Sequence, residues 1–392
     1  MQPIQQNEPV RIVSIDVLRG ISLFGIFLVN MLSFHSPYFY YNPYEWWDSQ
    51  QDALAFSWID ILVQASFYPI FAAMFGFGSA MQREKSIERA GTFTWMGIRR
   101  FSFLLVLGVL HAIFIWPGDI LFNYAVCGFL LLFFLRFSGR ILLTVGLLLL
   151  LVPAVLFSVM LVWAGISDPY QSLFWTDIAS VSNSIAAYGS GTYEEVTKQR
   201  FKDWTTNNIV DGAFIFQLTT IFPFLLIGAG VYKQRLIKKW AANPKKTSRL
   251  FVILFGAGLL LKGVPHLLGP SHIAYMYVQD AIGGPILAAS YAVLIVCVCT
   301  LPGPLKMLSP FAQAGRMSLT NYLMQSIIGS LLFYAYGLSF YGQITVTTGI
   351  LLCVTIFTLQ VIVSGLWLSR FKQGPVEAIW RFITYGKKGM KK

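Results

Sequence analysis

Apolar runs of about 20 residues recur along the whole chain, parted by short polar or basic stretches. A helix needs roughly 20 apolar residues to cross a bilayer. The pattern predicts ten crossing helices, over 12–33, 54–81, 97–116, 120–136, 141–165, 211–235, 249–268, 273–300, 313–336 and 344–370. The polar stretch 166–210 separates five spans (12–165) from five more (211–370), and a cytoplasmic tail, 371–392, follows. The expected fold is therefore an all-α integral membrane protein with a single multi-pass domain. Five and five also suggests an inverted repeat, although no clear self-similarity supports one.

The charges orient this pattern. If the N-terminus is cytoplasmic, 25 of the 29 Lys and Arg fall on cytoplasmic segments, leaving only Lys198, Arg200, Lys202 and Lys262 outside. Positive residues concentrate on the cytoplasmic side, so both termini are expected inside. The net charge of +12 then reflects loops facing anionic lipid, not nucleic acid. The start, "MQPIQQNEPVRI", is polar and reads as no cleaved signal. The four cysteines, in apolar runs, show neither metal spacing nor a disulfide framework. Segment 34–53 is aromatic and acidic, suited to the interface or to a sugar- or lipid-binding wall. "GTYEEVTKQRFKDW" in the long loop reads as a short surface helix.

Ionisable groups are costly in a bilayer, and those inside the spans mark candidate chemistry. Asp16 and Arg19 are i, i+3 neighbours on one helix face. They either form a local ion pair or present Arg19 to an anionic ligand with Asp16 orienting it. Asn30, at the outer end of the same helix, either bonds a neighbouring helix or faces a reactant. His111 lies about 9 Å short of the Pro117-Gly118 break, at 1.5 Å per residue. Asp119 directly precedes the next run, where it can act as N-cap. The turn brings both to one outer-facing pocket, where a carboxylate beside a histidine makes a proton-abstracting base. His35 is on the same side; His266 and His272 read as interfacial. On the inner side, Arg316 precedes Ser318, Thr320 and Asn321 at a helix start, a ready anion site. Asp280 is a candidate partner for Arg316, and Arg99, Arg100 and Arg19 would join it on a phosphate-rich ligand. "VEAIWRFITY", after Gly374-Pro375, reads as an amphipathic anchor on the inner face. No P-loop, His-Glu-x-x-His or Gly-x-Ser-x-Gly is present, which disfavours ATP hydrolysis, zinc and a hydrolase triad.

The segments "SIDVLRGISLFGIFLVN", "FYPIFAAMFGFG", "LGVLHAIFIWPGDILFNYAVCG", "AGRMSLTNYLMQS" and "FKQGPVEAIW", in order from residue 14 to 380, resemble the YeiB-like family of bacterial multi-pass membrane proteins. The first also resembles the start of the membrane domain of heparan-α-glucosaminide N-acetyltransferase, through Ser14, Asp16, Arg19, Gly20, Ile21, Val29 and Asn30. That resemblance implies a transmembrane acyltransferase fold. It implies an acyl-CoA donor, such as acetyl-CoA, on the cytoplasmic side and an acceptor across the membrane. Asn30 carries over as a residue of the reactive centre. His35 stands closer to it than the pattern requires, which leaves His111 as the preferred base. Asn30 would donate to the thioester oxyanion, while the inner-side cations, Arg19 among them with Asp16 orienting it, and Asn321 would hold the CoA phosphates. The expected activity is acyl transfer from acyl-CoA to an extracytoplasmic acceptor. The alternatives are a small-metabolite transporter, with its site near the midplane, and a non-catalytic lipid-binding scaffold. Membrane lipids are expected partners, and a homo-oligomer is left open.

Overall fold

The computed structural model describes residues 13–88, 93–168, 175–269 and 272–386. The polar start 1–12, the basic end 387–392 and loop residues 169–174 lie outside the described residues. Among those described, the chain is helical with no β-strand. Helix α1 (Val13–His35) is continuous, whereas the predicted second span is two helices, α2 (Gln50–Leu62) and α3 (Tyr68–Glu88). Then come α4 (Phe93–Phe114), α5 (Leu121–Phe134) and α6 (Gly139–Ser167). The stretch read as one outer loop folds into α7 (Ile178–Ser190) and α8 (Tyr193–Asn208). Helices α9 (Ala213–Lys233), α10 (Leu236–Ala242), α11 (Pro244–Lys262) and α12 (Val264–Leu268) follow. Helix α13 (Ile273–Val278) runs through a π-turn at Gln279–Gly283 into α14 (Gly284–Val298). The predicted ninth span is divided between α15 (Pro302–Arg316) and α16 (Ser318–Phe333). The chain closes with α17 (Val346–Arg370) and α18 (Pro375–Tyr385).

Six of these segments are long and apolar enough to cross a membrane: α1, α4, α6, α9, the continuous Ile273–Val298 and α17. Their outward faces are apolar. On α6, Leu148, Leu156, Val159 and Trp163 are exposed; on α17, Leu351, Leu359, Val363 and Leu366 are. Apolar surface this extensive suits lipid and not water. The chain is a multi-pass membrane protein.

The break between α2 and α3 has a local cause. Pro69 has no N–H to continue a helix from the preceding turn, and Ala65 adopts a left-handed conformation at φ 57°. The Leu62 carbonyl, released from the helix ladder, accepts from the Tyr291 hydroxyl at 2.9 Å. Non-helical backbone at membrane depth is tolerated where protein or a cavity surrounds it.

Glycines set the closest helix contacts. A Cβ on Gly228 of α9 would collide with the Ala73 carbonyl of α3, and one on Gly76 with the Leu225 carbonyl. Gly20 of α1 meets Phe311 of α15 in the same way, and Gly315 meets Asp16. Lipid tails are as apolar as leucine, so such close backbone packing is what holds membrane helices together. Gly228→Val should lower the melting temperature in detergent, at a cost of about 1–3 kcal/mol for overpacking. A surface change on α6, such as Leu156→Val, should leave it nearly unmoved.

Candidate functional site

The last turn of α4 carries His111, whose carbonyl accepts from both Ile115 and Trp116 at 2.9 Å. Pro117 cannot extend the helix, and the chain turns back to Asp119 at the start of α5. The two Asp119 oxygens divide the work. Oδ2 accepts from the Phe122 N–H at 2.8 Å, covering an open N–H of the first turn of α5 from one residue before its N-cap, Ile120, and not from the cap position expected from sequence. Oδ1 lies 2.8 Å from His111 Nδ1. Gly108 permits this approach, since a Cβ there would press on Phe122 N and on the Asp119 carboxylate. A carboxylate on Nδ1 selects the tautomer with its proton there and the lone pair on Nε2. Nε2 is buried and has no hydrogen-bond partner among the described residues. The ring is packed by Trp116, with centroids 6.4 Å apart, and by Tyr322, at 5.4 Å.

The pair does not open into a pocket as expected from sequence: both side chains are fully buried, and neither lines the two cavities nearby, which lie past Ile120 and Tyr322. The first, of about 270 Å³, is at the end of the molecule where α1 begins. Five cations line it, Arg19, Arg100, Arg316, Lys372 and Arg381, with Glu377 as the acid. Helix α18 forms one wall through Trp380, Thr384 and Tyr385. Arg100 bonds Gln82, and its guanidinium lies 4.8 Å from the Phe75 ring and 4.7 Å from that of Trp380. Trp380 Nε1 donates to the Arg100 carbonyl at 3.0 Å, docking α18 on α4. The second cavity, of about 210 Å³, is further along α1 and holds Asn30, Gln64, Gln217 and Thr220. Ile26, Ile120 and Tyr322 line both. These three residues are shared by a basic chamber and a neutral polar one, and one of them, Tyr322, packs on His111.

The structure brings Arg19, Arg100 and Arg316 to the first cavity, and Asn30 to the second. Asp16 stays beside Arg19, at 3.7 Å. Arg99 points away from the chamber and is exposed. Asn321 is buried between helices, donating to the Ala314 carbonyl and to Ser364 Oγ, and lines neither cavity. His35 is buried against Trp47 and Phe333 and also lines neither. The helix start after Arg316 is not a vacant anion site. Glu377 fills it, accepting from Leu319 N at 2.8 Å and Thr320 N at 3.0 Å. Asp280 is not the partner of Arg316; it pairs with Lys262 at 2.9 Å. His266 bonds Asp60 at 3.0 Å, and His272 caps α13.

Sequence reasoning missed the cap over the far end, where α1 finishes. Thr192 and Glu195 form a capping box that starts α8, a Thr-x-x-Glu signal visible beforehand. Arg200 on that helix is fully buried. Its Nη1 donates to the Phe114 carbonyl at 2.6 Å and to that of Ile115 at 3.2 Å, capping α4 beyond His111. Asp203 accepts from Tyr40 at 2.5 Å, Tyr188 at 2.7 Å and Gln199 at 2.7 Å. Burial pushes the Asp203 carboxyl above its usual range, against the pull of these three donors.

A model of the family described as "Protein of unknown function (DUF418)" matches residues 231–387. YxaH of Bacillus subtilis (strain 168) is 31% identical over 98% of this chain and 96% of its own length. YeiB of Escherichia coli (strain K12) is 26% identical over 95% and 96%. The chain belongs to the YeiB-like family. A 39.9 kDa protein from the amylase 3′ region of Bacillus acidopullulyticus, 28% identical over 99% of this chain and 97% of its own, resembles it equally along its length. The YeiB-like segment matched by the family model contains α15 to α18, and with them Arg316, Tyr322 and Glu377.

Asp119→Ala should remove both the bond to the first turn of α5 and the partner of a buried imidazole. The expected loss is roughly 2–4 kcal/mol, about 1 from the first-turn bond and 1–3 from the stranded ring nitrogen. Denaturation in detergent measures it, and a loss below 1 kcal/mol would show that neither bond matters to stability.

Proposed function

We propose that this protein is a transmembrane acyltransferase that takes an acyl group from cytoplasmic acyl-CoA and passes it to an acceptor on the other side. The observation that carries this reading is the pair of neighbouring cavities that share Ile26, Ile120 and Tyr322 as lining. A CoA thioester has a polyanionic end and a neutral reactive end. The five cations of the first cavity suit the phosphates. The second cavity offers the Asn30 amide, a hydrogen-bond donor for the oxyanion that forms when the thioester carbonyl is attacked. The acceptor's proton leaves towards the His111–Asp119 pair, past Tyr322, whose ring adjoins both that pair and the two chambers. Carbon–oxygen or carbon–nitrogen bond formation at the acyl carbon then expels the CoA thiolate, which takes up a proton.

In this reading ten crossings place both termini, and the basic cavity, on the cytoplasmic side of the bacterial cytoplasmic membrane. Six crossings are the long apolar helices; the others combine shorter pieces such as α2 with α3 and α15 with α16. Helix α18 is more than an anchor, because it walls the CoA chamber. A transporter would also place a chamber at each end, so catalysis has to be tested chemically.

Purified protein should bind CoA saturably. Arg19→Ala and Arg316→Ala should each weaken binding about tenfold or more, as expected for lost charge-assisted hydrogen bonds. With an acceptor in hand, Asn30→Ala should lower kcat roughly 10²–10³-fold with little effect on CoA affinity, and His111→Ala should abolish turnover. Titration calorimetry and thiol release measure these. Absence of CoA binding, or uptake of a solute by proteoliposomes without thiol release, would replace this reading with transport.

A further inference from the structure

Beyond the two chambers above, the far end holds a third cavity, of about 230 Å³, with a different chemistry. Aromatic rings form most of its wall: Tyr38, Phe39, Tyr41, Tyr44 and Phe56. The charged residues lining it are both acids, Asp60 and Asp280. Asp280 already has a cation in the fully buried Lys262. Asp60 differs. It is 4% exposed, and three donors converge on a single one of its oxygens. Tyr44 Oη at 2.8 Å, Gln279 Nε2 at 2.6 Å and His266 Nε2 at 3.0 Å all meet Oδ2. Oδ1 has no hydrogen bond among the described residues. Tyr44 and Gln279 donate as neutral groups, and His266 is the one donor of the three that can carry a positive charge. A buried carboxylate with an open oxygen, beside faces of negative π density, is the environment that attracts an ammonium group.

We propose that this cavity is a binding site for a small organic cation, an alkylammonium head group, with the Asp60 carboxylate as its counter-ion and the tyrosine and phenylalanine rings as its walls. The volume is below the ~300–1,000 Å³ of sites for drug-sized ligands, so it takes a head group and not a large molecule. Segment 34–53, which supplies four of the five rings, carries no Lys or Arg. The site does not rest on acyl transfer. Gln64, in the break between α2 and α3, lines both this cavity and the Asn30 chamber.

The test is titration calorimetry on the purified protein, without CoA, using choline and its neutral isostere 3,3-dimethylbutan-1-ol. Choline should bind saturably and the alcohol at least tenfold more weakly. Asp60→Asn should weaken choline tenfold or more, and Phe39→Ala, at an exposed ring of the wall, about threefold or more. Equal binding of the alcohol, absence of choline binding, or binding of glucose in place of choline would overturn the proposal. Where Asp60→Asn loses its melting transition, Phe39→Ala decides: unchanged choline affinity refutes the site.

Discussion

A hydrocarbon layer supplies no hydrogen bonds, so the backbone groups the chain carries into it must find partners in the protein. That constraint accounts for most of the internal architecture. Asp119 spends one oxygen on a helix start and the other on His111. Glu377 sits on the bare N–H groups of α16. The Leu62 carbonyl, freed by the kink before Pro69, is met by a tyrosine from α14. Arg200 closes the carbonyl end of α4. These contacts also position the chambers, because each ties a wall helix to its neighbour.

The coarse fold was legible in the sequence because its signal is local. An apolar run of 20 residues announces itself in any window, and helices α1, α4, α6, α9 and α17 lie within a few residues of the expected spans. The interruptions were harder. Pro69 was visible, but only the tertiary fold says whether a proline kinks a helix or starts a new one. The π-turn at Gln279–Gly283 leaves no mark in hydropathy at all. The long loop was read by its polarity as surface. Its buried Arg200 and Asp203 face partners 85 or more residues away in sequence, Phe114, Ile115 and Tyr40, which no local pattern can reveal.

The candidate site was legible to the same limit. His111 and Asp119 are eight residues apart across a turn whose Pro-Gly pair dictates the reversal, so their contact followed from short-range geometry. The cluster of cations at one end followed from charge asymmetry. What could not be read was occupancy. The start of α16 has the form of an anion site, yet the chain fills it with its own carboxylate from 57 or 58 residues further on. Likewise Asn321, polar and at a helix start, bonds neighbouring helices and leaves Arg316 to face the chamber.

The buried Arg200 has a consequence for how the molecule is built. The carbonyl groups that end α4 are completed by a side chain made more than 80 residues later. During synthesis α4, α5 and α6 are finished before α8 exists. The turn holding His111 and Asp119 is therefore made without the Arg200 bonds to Phe114 and Ile115, which form only once α8 is in place at the same end. The clamp over that turn is thus a late product of assembly, and a chain cut short before residue 200 would carry the His111–Asp119 pair without it.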